Sequence, residues 1–82
     1  MPAKNIEEKV RSFFLKIFPE VKEENFDLKR TQDTFQGWDS FSHMEIVANL
    51  EKEFGISLEM DEIISARSAH DFVNMIKKKV KL

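Results

Sequence analysis

The sequence lacks cysteine and contains only two glycines and two prolines. The absence of cysteine excludes disulfide scaffolds, thiolate zinc sites and cysteine nucleophiles. So little glycine and proline, with no low-complexity tract, argues against a linker or a disordered tail. The longest apolar runs are three residues, Phe13–Leu15 and Ile46–Ala48, far below the roughly 20 that span a bilayer. The N-terminal residues MPAKNIEEKV also lack a signal-peptide core, so we expect a cytoplasmic protein without membrane association.

The residues that are present predict one small globular unit. The 82 residues are 41% hydrophobic and include eight Phe, which is enough for one modest core. Because domains usually hold roughly 100–200 residues, we expect a single domain over 1–82. Thirteen basic and 15 acidic side chains leave a net charge of −2. A core of this size has little room for a catalytic cleft, so a binding or carrier module is favoured over an enzyme.

A helical period opens the chain and predicts a helix over about 5–18. Asn5 can cap this helix, with Glu8 completing a capping box, and Pro19 ends it. The apolar positions with i, i+4 and i+7 spacing are Ile6, Val10, Phe13, Phe14 and Ile17.

Residues 19–38 form a long connection, and connections of this length are often functional. We expect a turn of helix at Asn25–Leu28 and a special backbone dihedral at Gly37, just before the next helix. The apolar residues expected to anchor the connection to the core are Phe26, Leu28, Phe35 and Trp38.

A second helix is predicted over about 40–54, with Gly55 as its C-cap. Its start remains open, because Asp39 or Ser40 could cap it and Ser42–Glu45 also reads as a capping box. The predicted core-facing residues of this helix are Met44, Ile46, Val47, Leu50 and Phe54.

The remaining chain predicts a buried connection and two more helices. Ile56 and Leu58 alternate with a polar residue but have no partner strand, so we interpret them as a buried connection. Asp61–Ser65 forms a short helix, and Ser68 caps a last helix with Asp71 at its third position. The apolar stripe of that helix is Ala69, Phe72, Val73, Ile76 and Val80. The predicted fold is an all-α bundle of three longer helices and a short third one.

The segment from Gly37 to Glu45 contains the three residue types of a hydrolase triad, Asp39, Ser40 and His43. A nucleophile elbow requires Gly-x-Ser-x-Gly, however, and the second glycine position is Ser42 here. His43 lies within the apolar arc, which favours a half-buried histidine bonded to a loop carbonyl. On the opposite side of the helix Phe41 is expected to face solvent, near Ala48 and within an acidic rim, as a docking spot does.

These residues also resemble a known family, the acyl carrier proteins. Gly37-x-Asp39-Ser40-Phe41 is similar to the family's attachment motif G-x-D-S-[LMF]. The similarity continues through Met44-Glu-Ile-Val47, Leu50-Glu-Lys-Glu-Phe54 and Ile56-x-Leu58, and it includes the long first loop, the short third helix and the fourth helix.

The resemblance implies that Ser40 bears a covalent 4′-phosphopantetheine arm whose thiol holds acyl groups, with Asp39 as its motif neighbour. The protein would be a carrier rather than an enzyme, and a phosphopantetheinyl transferase would load the arm from coenzyme A. A phosphodiester at this position would lie at the positive end of the helix dipole.

The resemblance also implies a docking face for acyl-loading and acyl-processing enzymes with basic patches. It places Phe41, Glu45, Ala48 and Glu51 of the second helix, and Ile63 of the short helix, on that face. Residues 39–63 hold seven acids and one base, a local charge of −6, which suits electrostatic steering. The chain departs from the family at Lys52, where an acid is usual, and at Glu59, where proline is common.

Several alternatives remain at this point. The chain could be an aminoacyl or peptidyl carrier, or a helical interaction module in which Ser40 is only a cap. The basic run from Lys77 to Lys81 complements the helix dipole and lacks the aromatic residues of a nucleic-acid site. The spacing of acids and histidines predicts no metal site, and we expect a monomer.

Overall fold

The computed structural model describes residues 3–19 and 21–80. Within these residues the chain forms four α-helices and no strand: α1 (Ala3–Ile17), α2 (Ser40–Phe54), α3 (Met60–Ser65) and α4 (Ala69–Val80). Helix α1 packs against both α4 and α2. The predicted all-α bundle with a short third helix is confirmed. In the described part of the chain, no helix has the length and apolar character needed to cross a membrane.

Helix α1 begins earlier than its predicted cap. The helix already includes Ala3, so Asn5 lies inside it and the predicted Asn5–Glu8 capping box is wrong. The Asn5 side chain is exposed, and an exposed asparagine costs a helix little, so the helix does not have to begin there. At the other end the Phe18 N–H donates to the Phe14 carbonyl at 2.9 Å, and Pro19 follows as predicted.

The long connection between α1 and α2 is held to the bundle along its length. The predicted helical turn at Asn25–Leu28 is wrong, because the 3-10 turns lie at Glu23–Asn25 and Gln32–Thr34 and the backbone at Phe26 is extended. The Gln32 N–H donates to the Arg67 carbonyl at 2.7 Å, and the His70 N–H donates to the Leu28 carbonyl at 2.9 Å. These bonds tie the connection to the segment between α3 and α4 and to the first turn of α4.

The predicted anchors of this connection build an aromatic core around Phe14. Phe26, Phe35 and Trp38 are buried, and Leu28 is half-buried against the core. The Phe14 ring lies between 5.2 and 6.3 Å, centroid to centroid, from five other rings: Phe18, Phe26, Phe35, Trp38 and Phe72. Tilted, stacked and edge-to-face contacts of this kind stabilise the core in addition to the burial of apolar area.

The second half of the chain follows the predicted pattern closely. Gly55 ends α2 in the left-handed conformation at φ 63°, which glycine adopts without steric cost. Leu58 is buried and Ile56 half-buried, as expected for a connection that covers the core. The Ser68 hydroxyl accepts from the Asp71 N–H at 3.2 Å and caps α4 as predicted.

Candidate functional site

The start of α2 is set by Asp39. Gly37 has φ 86°, and two residues later the Asp39 carboxylate accepts a hydrogen bond from the Ser42 N–H at 2.9 Å. Asp39 is therefore the N-cap and Ser40 the first helical residue. The alternative capping box at Ser42 is wrong, because Ser42 lies in the first turn and its hydroxyl donates to the Gly37 carbonyl at 2.8 Å.

The electrostatics of the cap keep Asp39 in its charged form. The hydrogen bond from the Ser42 N–H lowers the pKa of the Asp39 carboxyl below its usual value, because that bond is made to the ionised form. Within residues 3–19 and 21–80, no side chain forms a hydrogen bond with the Ser40 hydroxyl. Asp39 thus fixes the helix start, and Ser40 stands exposed beside it without a general base.

His43 is occupied on both ring nitrogens. The Trp38 Nε1–H donates to His43 Nδ1 at 3.0 Å, so Nε2 carries the ring proton and donates to the Ile63 carbonyl at 2.6 Å. This confirms the expected half-buried histidine bonded to a carbonyl, although the carbonyl belongs to α3 and not to a loop. A ring held in this way is not available as a base for Ser40.

A groove opens beside Ser40, between α2 and α3. Its volume is about 350 Å³, and three exposed or partly exposed apolar side chains line it: Met44, Met60 and Ile64. Placing Met44 in the core was wrong, because this side chain is 49% exposed. The other residues that line the groove are Gln32, Ser40, His43, Ile63 and Arg67.

The structure separates the expected docking residues into two groups. Phe41 is 78% exposed, and Glu45 and Ala48 are also exposed. Glu51 is only partly exposed, and its carboxylate accepts from the Leu58 N–H at 2.8 Å. Ile63 is buried, with 7% of its surface exposed, so its placement on an outward docking face is corrected. Its neighbour Ile64 points about 100° further round the helix and is 67% exposed.

Part of the acidic charge in residues 39–63 is already paired. Glu53 lies 2.9 Å from the Lys9 ammonium, and Glu62 lies 3.0 Å from that of Lys79. The Glu59 N–H and the Lys79 ammonium both stabilise the ionised Glu62 carboxyl and lower its pKa. Two of the seven acids, Glu53 and Glu62, are therefore paired with lysines. The unpaired acidic charge near Phe41 is smaller than the local charge of −6 suggests.

Comparison with known proteins identifies the family. Residues 16–76 match the family described as "Phosphopantetheine attachment site". An acyl carrier protein of Rickettsia bellii is 35% identical over 79 residues, covering 90% of this chain and 90% of that protein. The chain belongs to the acyl carrier proteins. Members of this family are carriers rather than enzymes, bind 4′-phosphopantetheine covalently and interact with phosphopantetheinyl transferases and acyl-processing enzymes.

The geometry at the start of α2 fits this prosthetic group. Attachment through a phosphate requires a reachable hydroxyl and surroundings that tolerate an anion. The Ser40 hydroxyl is exposed on the first residue of a 15-residue helix, where the helix dipole favours negative charge. The groove beside Ser40 adds polar side chains, Gln32 and Arg67, together with apolar ones. The residues of this carrier therefore suit the group that the family binds.

Proposed function

We propose that this chain is a stand-alone acyl carrier whose 4′-phosphopantetheine arm is attached to Ser40. The observation that carries the proposal is the exposed Ser40 hydroxyl at the capped start of α2, within Gly37-x-Asp39-Ser40-Phe41. The terminal thiol of the arm supplies a thioester linkage for acyl groups. The protein would act as a cytoplasmic monomer in fatty acid, polyketide or related biosynthesis.

The residues around Ser40 present it and leave the chemistry to other proteins. The Asp39 cap fixes where α2 begins, and Trp38 is buried directly before it. The Ser40 hydroxyl is therefore held at the end of a rigid element, which favours recognition by a partner. Because His43 is engaged with Trp38 and Ile63, a separate transferase has to provide the base and the metal for loading.

Loading of the arm can be measured by intact mass. We expect the protein to gain one phosphopantetheine mass after incubation with a phosphopantetheinyl transferase, coenzyme A and magnesium. Ser40→Ala should abolish the gain. Ser42→Ala is the matched control, because it removes a hydroxyl two residues away within the same turn. An unmodified wild-type protein, or a mass gain that persists in Ser40→Ala, would disprove the proposed attachment.

We further propose that Phe41, Glu45 and Ala48 form the recognition surface for enzymes with basic patches. All three are exposed on α2 within eight residues of Ser40. Opposite charges across such a surface mainly raise the association rate, and salt screens them.

Charge reversal at one position tests this surface. Glu45→Lys should slow loading at low salt by raising the KM for the carrier, with wild-type thermal stability. Lys22→Glu is a matched control, since it reverses an exposed charge in the long connection. Equal loading rates for Glu45→Lys and wild type at low ionic strength would exclude a role for Glu45 in docking.

A further inference from the structure

His43 separates the groove beside Ser40 from the aromatic core. Its side chain lines the groove together with Ser40 and Met44. On its other side its ring centroid lies 5.8 Å from that of Trp38 and 5.7 Å from that of Phe72. Phe72 is fully buried. A molecule entering the core from this groove would therefore have to pass the imidazole.

Two hydrogen bonds hold the imidazole in this position. The Trp38 Nε1–H donates to one ring nitrogen, and the other donates to the Ile63 carbonyl of α3. Both partner residues are buried. Moving the ring aside would leave a donor and an acceptor without partners in a buried setting, which is unfavourable. We call this arrangement of Trp38, His43 and Ile63 the α2–α3 strap.

The space behind the strap is filled by aromatic rings. The ring centroid of Phe14 lies 5.2 Å from that of Trp38 and 6.3 Å from that of Phe72. The ring centroids of Phe35 and Trp38 are 5.1 Å apart. Protein interiors are packed at the density of organic crystals, so an added alkyl chain has to displace these rings. Opening the core here would disrupt the strap and the ring packing together.

We propose that His43 determines cargo size by keeping the acyl group on the arm out of the core. The acyl group then lies in the groove formed by Met44, Met60 and Ile64, where only its first carbons are covered. The carrier therefore suits short acyl groups and leaves the far end of a long chain in solvent. This inference rests on the proposed attachment of the arm at Ser40.

The accessibility of the cargo can be measured with hydroxylamine, which converts the thioester to a hydroxamate and releases the thiol. Butyryl, octanoyl and dodecanoyl forms are loaded from the matching acyl-coenzyme A, and intact mass confirms each one. Each buried methylene favours a sheltered state about fourfold. We expect octanoyl and dodecanoyl forms to be cleaved at equal rates. Dodecanoyl cleavage more than about fourfold slower than octanoyl cleavage would overturn the inference.

Two variants assign the effect to His43. His43→Ala removes the strap and should make dodecanoyl cleavage at least about fourfold slower than in the wild-type protein, the effect of burying one methylene. Lys52→Ala is the matched control, because it shortens an exposed side chain of α2 that lines neither the groove nor the core, and it should behave as wild type. Folded His43→Ala with wild-type dodecanoyl cleavage would also overturn the inference.

These outcomes are distinct from failure of the proposed function. A protein that gains no mass on loading contradicts attachment at Ser40. A loaded protein whose long acyl chains are shielded contradicts only the role of His43. The chain-length comparison in the unaltered protein remains decisive if His43→Ala does not fold.

Discussion

At the scale of single residues, Glu51 has a structural role. Its carboxylate accepts a hydrogen bond from the Leu58 N–H at 2.8 Å and so fixes the connection between α2 and α3. Leu58 is buried. Glu51→Ala should therefore lower the free energy of unfolding by about 1–3 kcal/mol, the cost of leaving a buried donor without its charged partner. Urea unfolding of the apo protein measures this loss.

Glu45 provides the comparison for Glu51 on the same helix. Its side chain is exposed, and Glu45→Ala should change the free energy of unfolding by less than about 0.5 kcal/mol. Glu51→Gln should lower the free energy of unfolding less than Glu51→Ala does, because the glutamine amide oxygen can still accept from the Leu58 N–H. Similar losses for Glu45→Ala and Glu51→Ala would contradict the structural role of Glu51.

At the scale of elements, the helices were predictable from hydrophobic spacing, but the start of α2 was not. Asp39, Ser40 and Ser42 are all suitable caps by residue type. The choice among them depends on the direction from which the chain enters the helix. The left-handed dihedral at Gly37 and the burial of Trp38 agree with expectation, but the exact angle at which they bring the chain into α2 depends on tertiary packing. The same limit explains why the helical turn predicted at Asn25–Leu28 was misplaced and the turn at Gln32–Thr34 was not predicted.

The surface around Ser40 shows a second limit of sequence patterns. Helical spacing placed Met44 on the core side of α2, but spacing does not reveal whether another element covers that side. Helix α3 has only six residues, and it leaves Met44, Met60 and Ile64 partly or largely exposed. The groove was therefore missed, whereas the motif that contains Ser40 was visible in the sequence.

At the scale of the whole molecule, stability depends on the aromatic cluster around Phe14. A protein of 82 residues typically has a free energy of unfolding of about 4–12 kcal/mol. Phe14→Ala should remove about 3–5 kcal/mol of it, because the ring is fully buried among five others. A thermal melt followed by circular dichroism reports the change.

The matched control for Phe14 is Phe41. It is 78% exposed, so Phe41→Ala should leave the melting temperature near that of the wild-type protein. If the two substitutions were equally destabilising, the cluster around Phe14 would not be the centre of the core.

Part of the basic charge of the molecule is paired with acids inside the fold. The Lys77 ammonium lies 3.9 Å from Glu7, and Lys79 pairs with Glu62. Lysines in the last turn of α4 also complement its dipole. These contacts account for much of the basic run within the fold, while Glu45 and Phe41 remain exposed near Ser40.

Trp38 provides an intrinsic fluorescence probe close to Ser40. The chain contains one tryptophan. Its indole lies between the aromatic core and the His43 ring, and the next residue in the chain is the Asp39 cap of α2. Its fluorescence therefore arises from the structural junction next to Ser40 and from no other place in the chain. Changes at that junction alter the light emitted by a natural residue, so they can be followed in time without a label.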